Sequence, residues 1–411
     1  MVDVREHHGS DRRAWAAAWT AESLWSALLV RVARRLEIGH LHLRLPNGAR
    51  YTISGASDGP RAALTVRHAR AIRKLLTGGE VAFAEAYMDG DCDTPDLNAL
   101  LALAQANEQA LQSAAMGFAG AHWARRFRHL LRGNSRRGSR RNIAYHYDLG
   151  NDFFEVWLDP GMTYSAALFD ESGLSLEQAQ ARKYRRLAEA LDLQADHHVL
   201  EIGCGWGGFA VFAARNYGCR VTAITLSREQ QAHAQNRVRE AGLADLIEVR
   251  LQDYRDVHGR FDRIASIEMF EAVGEQHWPQ FFITLRDRLA PGGIAGMQII
   301  TIAEDRFEDY RRAADFIQTY IFPGGMLPSP SVLKRQIERA GLAVTDHFTF
   351  GPSYAETLAH WRRAFDREWL CIAALGFNER FRRMWTFYLA YCEVGFRSGT
   401  IDVAQLQIRA G

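Results

Sequence analysis

The alternation of strand and helix patterns after residue 197 constrains the fold more than any other feature of the sequence. Short apolar segments that are typical of buried strands cover residues 198–203, 220–226, 247–252, 263–268 and 294–302. Segments with the apolar spacing of amphipathic helices, such as 227–241 and 277–289, lie between them. Parallel strands need a long crossover that is usually a helix, so the alternation predicts an α/β fold with a doubly wound, mostly parallel sheet. The segment 405–409 is predicted to form a last strand at an edge of that sheet.

The chain of 411 residues is long enough for two domains. Residues 1–118 mix both patterns and are predicted to form a smaller α+β domain, with a β-hairpin that turns at 46–48 and helical spacing over 96–111. Residues 119–141 contain eight arginines and no acidic residue, which predicts a basic linker. Residues 142–411 then form the α/β domain.

The composition limits the cellular compartment and the binding partners that are expected for this chain. The N-terminus carries acids and no apolar core, and no stretch reaches the roughly 20 apolar residues that span a bilayer, so neither a signal peptide nor a membrane span is expected. The five cysteines are scattered without a CxxC pair, which favours a reducing cytoplasm and predicts no metal site. The net charge of +2 says little about partners, and no nucleic-acid-binding motif accompanies the basic linker.

The first strand of the α/β domain runs into a glycine-rich string, Gly203-Cys204-Gly205-Trp206-Gly207-Gly208. Glycines after a strand allow a tight turn and close approach of the backbone to a ligand, and the next helix offers its N-terminal amide groups. The spacing also fits the dinucleotide pattern G-x-G-x-x-G, which expects a carboxylate about 20 residues further on. Residues 224–227 contain none, whereas Glu201 precedes the first glycine. These features favour a nucleoside-type methyl donor over a nicotinamide cofactor or a purely structural turn.

An ordered set of short strings resembles those of the cyclopropane-fatty-acyl-phospholipid synthases and the mycolic acid cyclopropane synthases. The strings are IAYHYDLGNDFF at 143–154, MTYS at 162–165, EIGCGWGG at 201–208, TLSREQ at 225–230, MFEAVG at 269–274 and YIFPGG at 320–325. The resemblance extends over roughly residues 36–411. It implies a Rossmann-like class I methyltransferase fold with a seven-stranded, mostly parallel sheet, preceded by a sterol-carrier-like domain that helps to present lipid.

The resemblance implies S-adenosylmethionine as the methyl donor and carries its contacts over to this chain. They are Tyr164 and Ser165 for the methionine part, Glu201, Gly203, Gly205 and Gly207 around the loop, Thr225, Leu226 and Gln230 for the ribose region, Gln252, Asp253 and Tyr254 for the adenine, and Ile267 beneath the donor. For Asp253 the alternative is a helix or turn cap.

The resemblance also implies a reaction at the double bond of an unsaturated fatty acyl chain in a membrane phospholipid. Methyl transfer leaves a carbocation, and removal of a proton from the new methyl group by a bound bicarbonate ion closes a cyclopropane ring. The candidate catalytic positions are Ala166, Glu271, Gln298, Ile300 and Tyr354. Glu271 matches the carboxylate that holds bicarbonate, Tyr354 matches a hydroxyl donor, and Ile300 matches a position that contributes its backbone.

Two of these positions depart from the family pattern. Ala166 stands where well-known members have cysteine, and Gln298 stands where they have histidine. Glutamine donates a hydrogen bond to an anion but carries no proton or charge at neutral pH. Methylation without ring closure, which gives a methyl- or methylene-branched chain, is therefore an alternative. Methylation of a soluble small molecule is another, and a non-catalytic lipid-binding protein is a third.

An enzyme that acts on acyl chains has to reach a bilayer surface. Each Lys or Arg near an anionic leaflet contributes about 1 kcal/mol, so the arginine-rich linker is a candidate for that attraction; a merely solvated linker is the alternative. These considerations predict a cytoplasmic protein that associates peripherally with the inner face of the membrane. The family also suggests a homodimer.

Overall fold

The computed structural model describes residues 21–115 and 149–411. The basic linker predicted at 119–141 and the motif residues 143–148 lie outside the described residues. The described part divides into two compact units, one formed by residues 21–115 and Phe377–Val394, the other by residues 149–376 and Gly395–Gly411. Residues 377–394 thus lie in the unit of the N-terminal segment, although they fall within the range 142–411 that the sequence analysis assigned to one domain.

The first unit contains a four-stranded sheet with helices. Its elements are α1 (Ala21–Ala33), β1 (Ile38–Arg44), β2 (Arg50–Ser54), β3 (Ser57–Val66), α2 (Ala69–Met88), β4 (Cys92–Asp93), α3 (Leu97–Ala106) and α4 (Glu108–Ala115). The strand order is β2-β1-β3-β4, and β1 is antiparallel to β2 but parallel to β3. The register, from His40 opposite Ser54 to Arg44 opposite Arg50, confirms the predicted hairpin.

Asn107, directly after α3, joins the helix to the first strand of this unit. Its side-chain oxygen accepts from the backbone N–H groups of Glu37 (2.8 Å) and Ile38 (3.0 Å), and its amide donates to the carbonyls of Ile38 (2.8 Å) and Leu103 (2.9 Å). The side chain is buried, and its four hydrogen bonds satisfy both its own polar atoms and backbone groups of the first strand and of the helix.

The second unit alternates strands and helices. Its elements are α5 (Asn151–Glu155), α6 (Leu176–Ala190), β5 (His198–Ile202), α7 (Gly208–Tyr217), β6 (Arg220–Thr225), α8 (Arg228–Glu240), β7 (Ile247–Leu251), β8 (Phe261–Ile267), α9 (Trp278–Arg288), β9 (Leu289–Ile302), α10 (Phe307–Arg312), α11 (Pro330–Arg339), β10 (Leu342–Thr349), α12 (Gly351–Arg367), α13 (Trp369–Ala374) and β11 (Ile401–Ala410). Helix α14 (Glu379–Arg397) precedes β11, and its residues up to 394 belong to the first unit. Among the helices of 21–115 and 149–411, none is both long enough and apolar enough to cross a membrane.

Seven strands form one sheet in the order β10-β11-β9-β8-β5-β6-β7. The five strands from β9 to β7 are parallel, while β11 pairs antiparallel with β9 and β10. Successive side chains of a strand point to opposite faces, so Val199 and Leu200 of β5 enter two different hydrophobic cores. Helices α6 to α8 cover the core around Val199, and α9 and α11 cover the other. The α/β fold with a mostly parallel sheet is therefore confirmed.

One predicted feature of the sheet is wrong. The segment 405–409 is part of β11, which lies between β9 and β10 and is not an edge strand. The edge is formed by β10, whose side chains alternate between half-buried and exposed over most of its length, so that its sequence lacks a continuous apolar run. Because β10 was not predicted from the sequence, residues 405–409 were expected to have a neighbouring strand on one side only.

Local sequence signals fix the ends of the helices that surround the sheet. Ser175 and Gln178 form a reciprocal capping box at the start of α6. The Ser227 hydroxyl accepts from the backbone N–H of Gln230 and caps α8. Helix α7 ends at Gly218, whose positive φ of 71° suits a residue without a Cβ atom.

The strand order of the sheet determines where a ligand-binding site is expected. From β5 the chain proceeds through β6 to β7 and then returns to β8 on the other side of β5. Ligands of doubly wound sheets bind at such a reversal, outside the carboxyl ends of the strands. The segments that follow β5 and β8 therefore meet at the expected position of a ligand.

Replacement of Asn107 by alanine should lower the free energy of unfolding by about 1–3 kcal/mol, because the backbone N–H groups of Glu37 and Ile38 lose their partner. Urea denaturation of the full chain measures this change. Asn98→Ala, at a half-buried position within α3, the helix that Asn107 follows, is the control and should change it by less than about 0.5 kcal/mol. Equal stabilities of the Asn107→Ala and Asn98→Ala variants would contradict the assigned role.

Candidate active site

The glycine-rich loop after β5 has a backbone that requires glycine. Gly203 and Gly205 have φ values of 84° and 52°, in the left-handed region. A Cβ atom on Gly203 would also lie only 2.6 Å from Cγ of Met269, so a side chain there would displace the segment that follows β8. The loop therefore brings its backbone close to the reversal point of the sheet.

A cavity opens at this point, between the loop, the ends of β6 to β8 and the segment before α6. Most of the positions predicted to contact the methyl donor line it. They are Tyr164, Ser165, Glu201, Gly203, Gly205, Thr225, Leu226, Gln230, Gln252, Tyr254 and Ile267. Residues from five separate segments of the sequence are thus brought to one place.

Two predicted donor contacts lie elsewhere. Asp253 is buried, and its carboxylate accepts from the backbone N–H of Arg255 (3.0 Å) and from its guanidinium group (2.9 Å). It caps a short 3-10 helix, Tyr254–Asp256, as the alternative interpretation of this residue stated. Gly207 has a φ of 83° and forms the N-cap of α7, so it serves the turn without lining the cavity.

Glu201 supplies an oxygen to the cavity that has no partner within the described part of the chain. Its Oε2 atom is buried and makes no hydrogen bond there. Burial raises the pKa of Glu201 to about 8, and the charge of Lys183 opposes this shift. A buried oxygen without a hydrogen-bond partner beside a glycine loop suits a ligand that brings hydrogen-bond donors, such as a nucleoside or an amino group.

Lys183 is a buried cation that the sequence analysis missed. Its Nζ atom donates to the Ser165 hydroxyl (2.7 Å), and burial lowers the pKa of the lysine to about 8. The carboxylates of Glu268, Asp159 and Glu201 oppose this shift. Its signal in the sequence is a lysine four residues from both Ala179 and Leu187, on the buried face of α6.

Glu268, the first residue after β8, is the second functional candidate that was missed. It lines the cavity, and its carboxylate accepts three hydrogen bonds. The donors are the backbone N–H of Ala166 (2.8 Å) and the Gln298 amide (2.7 Å), both to Oε1, and the Tyr354 hydroxyl (2.7 Å), to Oε2. Three of the five predicted catalytic positions therefore converge on a residue that was not among them.

The amide of Gln298 is held in one orientation. Gln405, its partner on β11, donates from Nε2 to the Gln298 oxygen (3.0 Å), and Arg186 donates to the Gln405 oxygen (3.2 Å). An amide whose oxygen accepts from one side presents its NH2 group to the other side, which here is Glu268. The side chains of Gln298 and Gln405 are both buried.

The remaining two predicted catalytic positions form a separate pair. The backbone N–H of Ile300 donates to Oε1 of Glu271 (2.6 Å), and Oε2 of Glu271 is buried without a partner among the residues that the structure describes. Burial, together with the nearby charge of Glu268, raises the pKa of Glu271 to about 8.

This arrangement does not fit a bicarbonate ion held as the family resemblance implies. The N–H of Ala166, the amide of Gln298 and the hydroxyl of Tyr354 all donate to the carboxylate of Glu268. The Ile300 N–H donates to Glu271. The donors predicted for an added anion already bind carboxylates of the chain.

Aromatic rings form the wall of the cavity next to Glu201 and Glu268. Tyr164 and Trp206 line it. The Tyr164 ring centre lies 5.1 Å from that of Trp361 and 5.3 Å from that of Phe154, which in turn lies 5.1 Å from Trp206. Ring faces attract cations, so this wall suits a ligand or an intermediate with positive charge.

Known proteins resemble the chain over most of its length. The tuberculostearic acid methyltransferase UfaA1 of Mycobacterium tuberculosis is 40% identical over 393 residues, which cover 92% of this chain and 90% of that protein. The cyclopropane-fatty-acyl-phospholipid synthase of Escherichia coli is 35% identical over 355 residues, which cover 85% and 88%. The crystal structure of the mycolic acid cyclopropane synthase CmaA1 complexed with SAH and CTAB is 32% identical, covers 66% of this chain and 97% of that one, and superposes with a TM-score of 0.62.

A family model described as mycolic acid cyclopropane synthetase matches residues 134–406. This range contains the glycine loop, strands β5 to β10, the first part of β11, and both Glu268 and Glu271. The family and the class I methyltransferase fold expected from the sequence strings are thereby confirmed. The chain belongs to the mycolic acid cyclopropane synthetase family and is an S-adenosylmethionine-dependent methyltransferase.

Proposed function

We propose that the chain transfers the methyl group of S-adenosylmethionine to a double-bond carbon of an unsaturated fatty acyl chain in a membrane phospholipid, and that loss of a proton then closes a cyclopropane ring. The observation that carries the proposal is one cavity at the sheet reversal that combines a glycine loop, an aromatic wall and a hydrogen-bonded carboxylate. These are the parts that alkylation of an uncharged alkene requires.

The donor is assigned to the cavity between the glycine loop and Tyr164. The backbone of Gly203 and Gly205 leaves room for it, and Glu201 offers an acceptor for its amino group or nucleoside hydroxyls. Gln230, whose side-chain oxygen accepts from the Thr225 hydroxyl (2.8 Å), lies where the ribose is expected. When bound, the sulfonium centre of the donor supplies an electrophilic methyl group.

The chemistry of the acceptor explains the rest of the site. An isolated alkene is a weak nucleophile, so it has to be held in line with the methyl group in a place from which water is excluded. Attack leaves a positive charge on the second alkene carbon. The faces of Tyr164 and Trp206 and the carboxylate of Glu268 line the same cavity and offset that charge.

A methyl- or methylene-branched product is a second candidate, which the side chains around Glu268 favour. Proton removal from the new methyl group competes with a hydride shift in the carbocation. If the proton leaves first, the ring closes; if the hydride moves first, the same proton loss gives an exocyclic methylene group. Ala166, Gln298 and Glu268 form an environment that differs from the expected bicarbonate site, so the order of these steps can differ as well.

The assignment of a lipid substrate is supported by the similar proteins and by the apolar residues that line the site. The name of the Escherichia coli relative, which is 35% identical, states a fatty-acyl-phospholipid substrate. We assign the same class to this chain, with docking to an anionic bilayer surface from the cytoplasmic side. The arginines at 119–141 are the candidate docking segment, and a homodimer is the proposed assembly.

Substitution Gly203→Ala should weaken binding of S-adenosylmethionine by at least about tenfold, or about 1.4 kcal/mol, because the new methyl group collides with Met269 inside the cavity. Isothermal titration calorimetry measures the Kd. The control is Gly242→Ala, which also has a positive φ (68°) but meets no atom within 4 Å. Both variants carry the backbone strain, and only Gly203→Ala should lose affinity; an equal loss in both would contradict this placement of the donor.

Purified protein incubated with unsaturated phospholipid vesicles and methyl-labelled S-adenosylmethionine should give labelled fatty acids that are heavier by one CH2 group. Mass spectrometry after mild hydrogenation distinguishes the products, since a cyclopropane resists conditions that saturate a methylene group. Labelled lipid that takes up hydrogen would support the second candidate. Bound donor with no labelled lipid, but with methylation of a soluble compound, would contradict the proposed substrate class.

A further inference from the structure

We propose that Glu268 is the general base of the reaction, and that its carboxylate takes the place that a bicarbonate ion has in the enzymes that this family resembles. This inference rests on the proposed function, because it concerns the proton that is lost after methyl transfer. It assigns the base to a side chain of the protein, so the enzyme needs no added anion.

Three hydrogen bonds fix the position of the Glu268 carboxylate. Ala166 precedes α6, Gln298 lies in β9 and Tyr354 lies in α12, and their donors reach Glu268 at 2.7–2.8 Å. These are three of the positions at which the family resemblance places bicarbonate contacts. A carboxylate and a bicarbonate ion are both planar, and each presents two oxygen acceptors. The Glu268 carboxylate therefore satisfies the same donors.

The backbone of Glu268 is strained. Its φ of 49° lies in the left-handed region, which is unfavourable for a residue with a Cβ atom. Glycine would adopt this conformation without that cost. Strained non-glycine residues persist where the side chain is needed, which is most often at functional sites. Here the strained backbone holds the carboxylate against its three donors at the cavity wall.

Of the two neighbouring glutamates, Glu268 is the one that carries the negative charge. Burial raises the pKa of both Glu268 and Glu271. Three donors stabilise the ionised form of Glu268, whereas Glu271 has one donor and a buried oxygen without a partner among the described residues. Hydrogen bonds to the ionised form favour it, so Glu268 is the anion, whereas Glu271, whose pKa is raised to about 8, keeps its proton. Glu268, unlike Glu271, also lines the cavity.

Oε2 of Glu268 is the atom that accepts the proton. A carboxylate has about four acceptor positions. Oε1 of Glu268 accepts two of the three hydrogen bonds, and Oε2 accepts one, from Tyr354. The second lone pair of Oε2 therefore remains for the substrate. Gln298, fixed by Gln405, holds the carboxylate in this orientation and acts as a positioning residue.

The reaction consists of a methyl transfer followed by a proton transfer to Glu268. The π electrons of the alkene form the new C–C bond as the C–S bond of the donor breaks, and the sulfur keeps that electron pair. Oε2 of Glu268 then takes a proton from the new methyl group. The released C–H pair closes the ring to the cationic carbon or, after a hydride shift, forms the double bond of a methylene group. Glu268 returns its proton to water after the product leaves.

Two substitutions test the proposal. Glu268→Gln keeps the shape and removes the base, and Glu268→Gly suits the local φ and opens a space lined by the three donors that the carboxylate binds in the wild-type protein. The control is Glu308→Gln, on an exposed face of α10 outside the cavity. All proteins are first shown to bind S-adenosylmethionine with the wild-type Kd, so that loss of folding or of donor binding is separated from loss of the base.

In bicarbonate-free buffer with unsaturated phospholipid vesicles, Glu268→Gln should lose about 10²–10⁴-fold in kcat, the usual contribution of a general base. Wild-type protein and Glu308→Gln should be fully active and indifferent to added bicarbonate. Glu268→Gly should be inactive alone and regain activity when bicarbonate is added. A wild-type enzyme that needs bicarbonate, or a Glu268→Gln variant with wild-type kcat, would overturn the proposal.

A binding measurement separates this inference from the proposed function. Titration with carbon-13-labelled bicarbonate, followed by NMR, should show binding to Glu268→Gly and none to the wild-type protein. This result does not depend on the lipid substrate. Bicarbonate bound to the wild-type site would overturn the role of Glu268, whereas failure of the wild-type protein to modify any unsaturated lipid would count against the proposed function.

The pH dependence of kcat provides a further prediction. The base has to be ionised, so activity should fall as the pH falls through the pKa of Glu268, which burial raises above the ordinary value of 4.5. Desolvation by burial opposes ionisation of this carboxylate, while the hydroxyl of Tyr354 and the charge of Lys183 favour it. Glu268→Gly with saturating bicarbonate should lose this acid limb or shift it. An unchanged acid limb in that variant would show that another group is the base.

Discussion

The hydrogen-bonded carboxylate of Glu268 is the interaction on which the arrangement of the site depends. It joins the end of β8 to the segment before α6, to β9 and to α12, so four parts of the unit meet at one acidic group. A buried anion is tolerated only when donors replace the water that it loses. The Gln405–Gln298 contact and the left-handed backbone of Glu268 both serve this requirement. The glycine loop lines the same cavity as this carboxylate.

The departures of this chain from the family pattern form one consistent set. An alanine replaces cysteine at position 166, where only the backbone N–H is used. A glutamine replaces histidine at position 298, where a neutral donor meets an anion that the chain itself supplies. Considered separately, each change predicts weaker binding of an added ion. Considered with Glu268, they describe a site built around an internal carboxylate, and the relative named as a methyltransferase is 40% identical to this chain.

Periodicity and glycine placement made the sheet and the cavity predictable from the sequence. Most residues of β5, β6, β8 and β9 are buried, and Gly203 and Gly205 mark the turn at the reversal point. The half-exposed strand β10 and the grouping of residues 377–394 with the first unit lacked such a signal. Glu268 was missed because it lies at the end of a predicted strand, between two recognised motifs. Its role depends on donors that are far away in sequence, and only the fold brings them together.

The most direct test of the account follows the fate of the transferred methyl group. Wild-type protein is incubated with unsaturated phospholipid vesicles and S-adenosylmethionine that carries a fully deuterated methyl group, and the deuterium content of the modified acyl chain is measured by mass spectrometry. If a base at the position of Glu268 takes its proton from that methyl group, the product loses one deuterium atom, whether a ring or a methylene group forms. A product that retains every deuterium atom would contradict the account, because the proton would then come from another carbon.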